Sequence, residues 1–163
     1  MVDDAFQRGQ QWLEQLLEHS GFSAAVSVNQ ARSQSEGSCW LEIDASALSP
    51  EQVQQVIGDK GHVLDAMQYL CNTILNLGRV SDDQQAFTVE LNGYRAARQA
   101  ELQAMAETVA EQVRQTGEPQ ELTGLSSAER RQVHTLLKEQ GDLETESVGR
   151  EPDRRLVVRL AQG

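Results

Sequence analysis

Apolar residues recur at helical spacing from the start of the chain. Phe6, Leu13, Leu16 and Leu17 share a face of a predicted helix over residues 4–19, and Gly21 provides a stop beyond it. The period then changes to strict alternation. Val26 and Val28 in "SAAVSVNQ" fall on one face of a predicted strand, as do Cys39, Leu41 and Ile43 in "SCWLEIDA", with "ARSQSEG" as a polar loop between them. "LSPEQVQQVIG" is helical again: Ser49 with Gln52 makes a capping box, Pro50 suits the first helical position, and Gly58 ends the helix. A longer helix runs from Gly61 to about Leu77. Its Val63, Leu64, Met67, Leu70, Cys71, Ile74 and Leu75 form one wide stripe assigned to the core, while His62, Asp65, Gln68, Asn72 and Asn76 lie off it. "SDDQQ" is a turn, and "AFTVELN" is a strand with Phe87, Val89 and Leu91 on one face. The predicted order over residues 4–92 is α-β-β-α-α-β.

Residues 93–116 carry a narrow apolar seam of Tyr94, Leu102, Met105, Val109 and Val113, which suits a connecting or packing helix that "TGEPQ" breaks. A capped helix follows, from Ser126 with Glu129 to a stop at Gly141, and then two strands joined by "VGREPDR". In the last strand Leu156, Val158 and Leu160 alternate with Arg155 and Arg159. The expected organisation is an α+β fold with a first domain at 1–92, a linking helix at 93–118 and a second domain at 119–163. Neither an internal repeat nor a low-complexity tract is present.

Charge sharpens the picture. The chain of 163 residues carries a net charge of −11, and all of it falls in residues 1–125, with 7 Lys+Arg against 18 Asp+Glu; residues 126–163 hold 7 of each. Phosphate affinity comes largely from Lys and Arg, so nucleic-acid contacts are expected mainly in the C-terminal part. No apolar run approaches the ~18 residues of a membrane span, and the acidic, amphipathic N-terminus is unlike a secretion leader. A cytoplasmic location without membrane contact is expected. Cys39 and Cys71 read as reduced core thiols, and His19, His62 and His134 lack metal-site spacing. No cofactor, metal or catalytic constellation is expected, hence no enzyme. Trp12 reads as a packing residue. Trp40 is a candidate base-stacking platform if it faces outward while Leu41 faces in.

Candidate chemistry begins with "VIGDKGHVLDAMQYL". Gly58 and Gly61 bracket Asp59 and Lys60, and the second glycine opens a helix whose first N–H groups face any nearby anion. Val56, Ile57 and Leu64 are expected to flank the loop and offer bases an apolar surface. Replacing both glycines by Asp is expected to leave the fold intact while abolishing the loop's contact with phosphate. A G-x-x-G loop between two helices, behind two strands and ahead of a third, resembles a type II-like KH domain over about residues 4–92. That resemblance implies Gly58, Asp59, Lys60 and Gly61 as an RNA-backbone clamp. The two middle positions are often basic in nucleic-acid-binding members. Here Asp59 repels phosphate and partly offsets Lys60.

The second constellation is "AERRQVHTLLKEQGDLETESVGREPDRRLVV". Arg130 and His134, four apart, share a helix face, with Val133, Leu136 and Leu137 turned to a core. "ERRxxH", then "ETES" and "EPxRR" before a strand, resembles the R-three-H domain, a small single-stranded nucleic-acid-binding fold. Together with "LNGYRAARQAEL" at the junction, the two domains resemble the bacterial Jag family of RNA-binding proteins, in a form without that family's separate N-terminal module. The resemblance implies single-stranded RNA as ligand, Arg130 and His134 as ligand residues, Arg131, Arg154 and Arg155 as supporting cations, and Thr145 and Ser147 as hydrogen-bond donors. Arg155 and Arg159 share a strand face and would extend the basic strip. The plainer reading of Arg154 and Arg155 is pairing with Glu144 or Glu146 across the hairpin. The resemblance also implies a post-transcriptional regulator or RNA chaperone, and pairing with a small KH-only protein or self-association. The competing reading is a protein-interaction adaptor whose acidic first module does not bind RNA.

Overall fold

The chain divides between Arg95 and Ala96 into two units, Met1–Arg95 and Ala96–Gly163, and the computed structural model describes residues 2–162. The first unit contains α1 (Val2–His19), β1 (Val26–Val28), α2 (Gln30–Glu36), β2 (Cys39–Ile43), α3 (Pro50–Ile57), α4 (His62–Leu75) and β3 (Phe87–Leu91). Its sheet has the order β1-β2-β3, with β1 antiparallel and β3 parallel to β2. Helical and strand periods converge on one core of Leu13, Leu17, Leu41, Leu64, Cys71 and Val89. At Gly9 helix α1 comes so close to the sheet that a Cβ would stand 2.6 Å from Phe87. Both thiols lie in this core, and burial pushes Cys39 and Cys71 up to about 12, with Cys39 adding to the shift of Cys71.

Three expectations change here. The polar loop "ARSQSEG" folds as α2, because Asn29 caps its start by accepting from the Arg32 N–H, and Gly37 ends it in the left-handed region at φ 69°. A polar helix of 7 residues shows no apolar period, so alternation and composition point to a loop. Helix α2 also decides the fate of Trp40. The residue is only 8% exposed, and the Arg32 guanidinium lies 4.6 Å from its ring centroid. The Trp40 backbone N–H donates to the buried Ser33 hydroxyl at 2.9 Å. Trp40 is therefore a packing residue.

The third change concerns α4. Its apolar stripe is too wide for one contact: Leu64, Met67 and Cys71 are buried, whereas Val63, Leu70 and Ile74 are 39%, 41% and 47% exposed. The amides set apart from the stripe have a structural task. Gln68 Oε1 accepts from the Val89 N–H at 3.0 Å. Asn72 accepts from the Phe87 N–H and donates to its carbonyl, at 2.9 and 2.8 Å. Asn76 does the same for Gln85, at 2.8 Å each. Side chains four apart on a helix share a face, and strand residues two apart share an edge. The amide ladder thus takes the place of a neighbouring strand along β3.

The second unit holds most of α5 (Tyr94–Thr116), followed by β4 (Gln120–Leu122), α6 (Ser127–Lys138), β5 (Leu143–Val148) and β6 (Arg155–Leu160). Its antiparallel sheet has the order β4-β6-β5. The helix expected as a linker over 93–118 supplies Leu102, Ala106, Val109, Ala110 and Val113 to this unit's core, where they meet Val133, Leu137, Leu156 and Val158. The capping box of Ser126 and Glu129 opens α6 as read from the sequence. Strand β4 shows no alternation in the sequence because its three residues, Gln120, Glu121 and Leu122, include a single apolar one. It pairs Gln120 with Val158 and Leu122 with Leu156.

Candidate nucleic-acid interface

Helices α3 and α4 are joined by a single 3-10 turn, Asp59–Gly61. Gly58 and Gly61 have φ of 74° and 78°, and the φ of Lys60, at 50°, is positive as well. A Cβ on Gly58 would lie 2.8 Å from the Val63 amide nitrogen, and one on Gly61 would lie 2.9 Å from the Tyr94 Oη. Both glycines therefore serve the backbone first, which overturns the expectation that Asp at both positions leaves the fold intact. Asp59 and Lys60 are exposed at the tip of the turn, one charge of each sign. Val56, Ile57 and Leu64 are buried at 0%, 7% and 0% and offer no surface to a ligand. The accessible apolar strip on α4 is instead Val63, Leu70 and Ile74, continuing to Leu77 at 81% exposure.

In the second unit the sequence-derived site residues are distributed over different surfaces. Arg130 is only 4% exposed. Its Nη1 donates to the carbonyls of Leu125 at 2.6 Å and Arg154 at 3.3 Å, and its Nη2 pairs with the Glu151 carboxylate. The Arg130 side chain is thus enclosed and not displayed on a helix face. His134 Nδ1 is hydrogen-bonded to the Thr145 hydroxyl, which ties α6 to β5. Thr145 and Ser147 stand opposite Val158 and Leu156 in the sheet, so they share the side of the sheet that meets the core.

Arg155 belongs to the other side. Its Nε is 3.0 Å from Glu121 on β4, while Arg159 lies 3.4 Å from Glu144 and 3.9 Å from Glu146. The anticipated carboxylates Glu144 and Glu146 thus pair with Arg159, and Glu121, unnoticed because β4 was unread, takes Arg155. The strand-borne part of the basic strip, Arg155 and Arg159, is thus matched by acids. Arg98 is likewise held by Glu129 at 2.7 Å and Glu101 at 2.8 Å. Arg114 forks onto Asp142, whose carboxyl that hydrogen bond holds below the usual carboxylate range; the same bond raises Arg114.

Of the 9 Lys+Arg in residues 96–163, Arg131, Lys138, Arg150 and Arg154 remain exposed, with no carboxylate in ion-pair reach among the described residues. Lys138 and Arg150 were not singled out from sequence. The "GREPDR" turn was the available signal for Arg150. Among the described residues no group of three His, Cys, Asp or Glu could hold a metal ion, and no helix is long and apolar enough to cross a membrane.

Residues 100–160 match the family model of the R-three-H domain. The match begins inside α5, whose apolar seam lines this unit's core from Leu102 onward. Proteins named RNA-binding protein KhpB align over more of the chain. One from Clostridium symbiosum is 27% identical over 150 residues, covering 92% of this chain and 64% of the relative. Another from Lactiplantibacillus plantarum is 31% identical over 105 residues, covering 64% and 32%. A third from Bacillus subtilis is 30% identical over 113 residues, covering 68% and 53%. The chain therefore spans less than two thirds of the length of each of these relatives.

Proposed function

We propose that this protein binds single-stranded RNA without catalysing a reaction, through a type II-like KH unit followed by the R-three-H unit, and acts in the cytoplasm as a post-transcriptional regulator or RNA chaperone. The observation that carries the reading is the collinear match: one RNA-binding relative aligns across 92% of the chain, and the R-three-H match lies within the second unit. The structure supplies compatible chemistry. Four unneutralised cations in the R-three-H unit suit phosphate contacts, and the exposed strip of Val63, Leu70 and Ile74 beside the GDKG turn suits unstacked bases. The same strip also suits packing against a second KH-type module, another copy or a small KH-only protein.

The R-three-H unit carries most of the affinity in this reading. Residues 1–95 hold 5 Lys+Arg against 13 Asp+Glu, a net −8, while residues 96–163 hold 9 against 12, a net −3. In a fluorescence anisotropy titration with a single-stranded RNA oligonucleotide, Arg131→Gln with Arg154→Gln is expected to weaken binding several-fold more than Lys60→Gln. Equal losses would reject this division of labour. Crosslinking in cells followed by sequencing of the bound fragments tests the function itself. Recovery of no RNA above background would return the protein to the adaptor reading.

A further inference from the structure

Residues 149–154 join β5 to β6 and read "GREPDR", two arginines with two acids between them. Left alone, such a turn would present no net charge to a phosphate chain. Arg130 alters that balance. Its Nη2 takes the Glu151 carboxylate and its Nη1 takes the carbonyl of Arg154, while the same Nη1 also holds the carbonyl of Leu125 just ahead of α6. One guanidinium thereby fastens the turn to the start of the helix. A bidentate grip on phosphate needs two free N–H groups side by side, and both terminal nitrogens of Arg130 are already committed beneath the surface.

We propose that Arg130 is a positioning residue: it neutralises Glu151 and holds the β5–β6 turn so that Arg150 and Arg154 meet the phosphates of a single strand, without touching the strand itself. This deepens the RNA-binding reading and rests on it. Deleting the Glu151 side chain should therefore weaken the binding of an anion, although it takes an acid off the binding face, because Nη2 of Arg130 then loses its acceptor.

The test uses the full chain, a short mixed-sequence single-stranded RNA and a salt series. Each phosphate contact contributes roughly 0.7 to the salt slope for single strands, which is about fivefold in affinity at ~0.1 M salt. Arg150→Gln and Arg154→Gln should each lose about that much. Glu151→Ala should lower both affinity and slope by more than either, whereas Glu151→Gln, which keeps an acceptor for Nη2, should bind at least as well as the parent. Arg130→Lys keeps the charge but not the fork, and should behave like Glu151→Ala. Hydrogen exchange measured without RNA should show faster exchange in residues 149–154 of Glu151→Ala and Arg130→Lys, with the parent rate retained in Glu151→Gln. Tighter binding by Glu151→Ala, or an Arg130→Lys variant with parental affinity and slope, would overturn the proposal. So would unchanged exchange in the turn. If the parent itself does not bind RNA, the RNA-binding reading fails, and the exchange measurement alone decides whether Arg130 positions the turn.

Discussion

A side chain at Gly58 would meet the amide nitrogen of Val63 in the first turn of the next helix, and its φ of 74° already disfavours any residue but glycine. With ψ at 177° the residue lies in a region essentially confined to glycine, which costs any other residue about 1–3 kcal/mol. Gly58→Ala is therefore expected to lower the midpoint of thermal unfolding, at roughly 4–8 °C per kcal/mol for a unit of this size. Circular dichroism checks this, with Asp59→Lys as a control that leaves the midpoint unchanged. The G-x-x-G spacing was legible in the sequence, but its physical cause was not, since Tyr94 sits 33 positions beyond Gly61. Arg130 was hidden for a related reason: two of its three partners are backbone carbonyls, which leave no mark on composition. The thiols give a second prediction at this scale. A cysteine unfolds to a pKa of about 8.5, whereas burial holds Cys39 and Cys71 at about 12. Their folded pKa is raised, so the stability they contribute is complete below the unfolded value and is lost as pH rises toward the folded one. Urea unfolding between roughly pH 8.5 and 12 should show a loss approaching about 1.4 kcal/mol per pH unit for each thiol. A Cys39→Ala, Cys71→Ala variant should lack that component of the pH dependence.

Among elements, strongly periodic helices and the alternating strands were readable, and short polar ones were not. Helix α2 and strand β4 have 7 and 3 residues, too few for a period to emerge against polar composition. The division of α4 into buried and exposed halves was equally invisible, because a hydrophobic stripe tells that a face is apolar and not how much of it a neighbour covers. Its amides test the reading of the opposite flank. Asn72→Ala leaves the N–H and carbonyl of Phe87 without their side-chain partner, at a cost of about 1–3 kcal/mol for a buried group left unsatisfied. Thr73→Ala, one position along and exposed, should cost far less. Chemical denaturation of both variants separates a ladder that supports the sheet from an incidental row of polar side chains.

At the scale of the whole molecule, most arginines balance local acids. Arg98, Arg114, Arg130, Arg155 and Arg159 are all engaged by carboxylates, which leaves four cations in the R-three-H unit for a polyanion among the described residues. At roughly 0.7 for each phosphate contact on a single strand, these four should contribute a salt slope of no more than about 3. Anisotropy titrations over a range of potassium chloride would check this, and a slope near about 6 would mean that the paired arginines change partners on binding. Sequence alone located the charge in the C-terminal part but not its neutralisation, since the partners lie on separate elements. The amide ladder has one more consequence, for assembly. An open strand edge is where a foreign chain is captured and where fibrils begin. Helix α4 occupies that edge of β3, and Glu14 on α1 accepts from the Val26 N–H on β1, at the far side of the same sheet. The first unit is thus poorly suited to extend its sheet with a borrowed strand. Partners are expected to meet it through helix faces and the GDKG turn, and weakening the ladder should expose it to aggregation before it costs the protein its ligand.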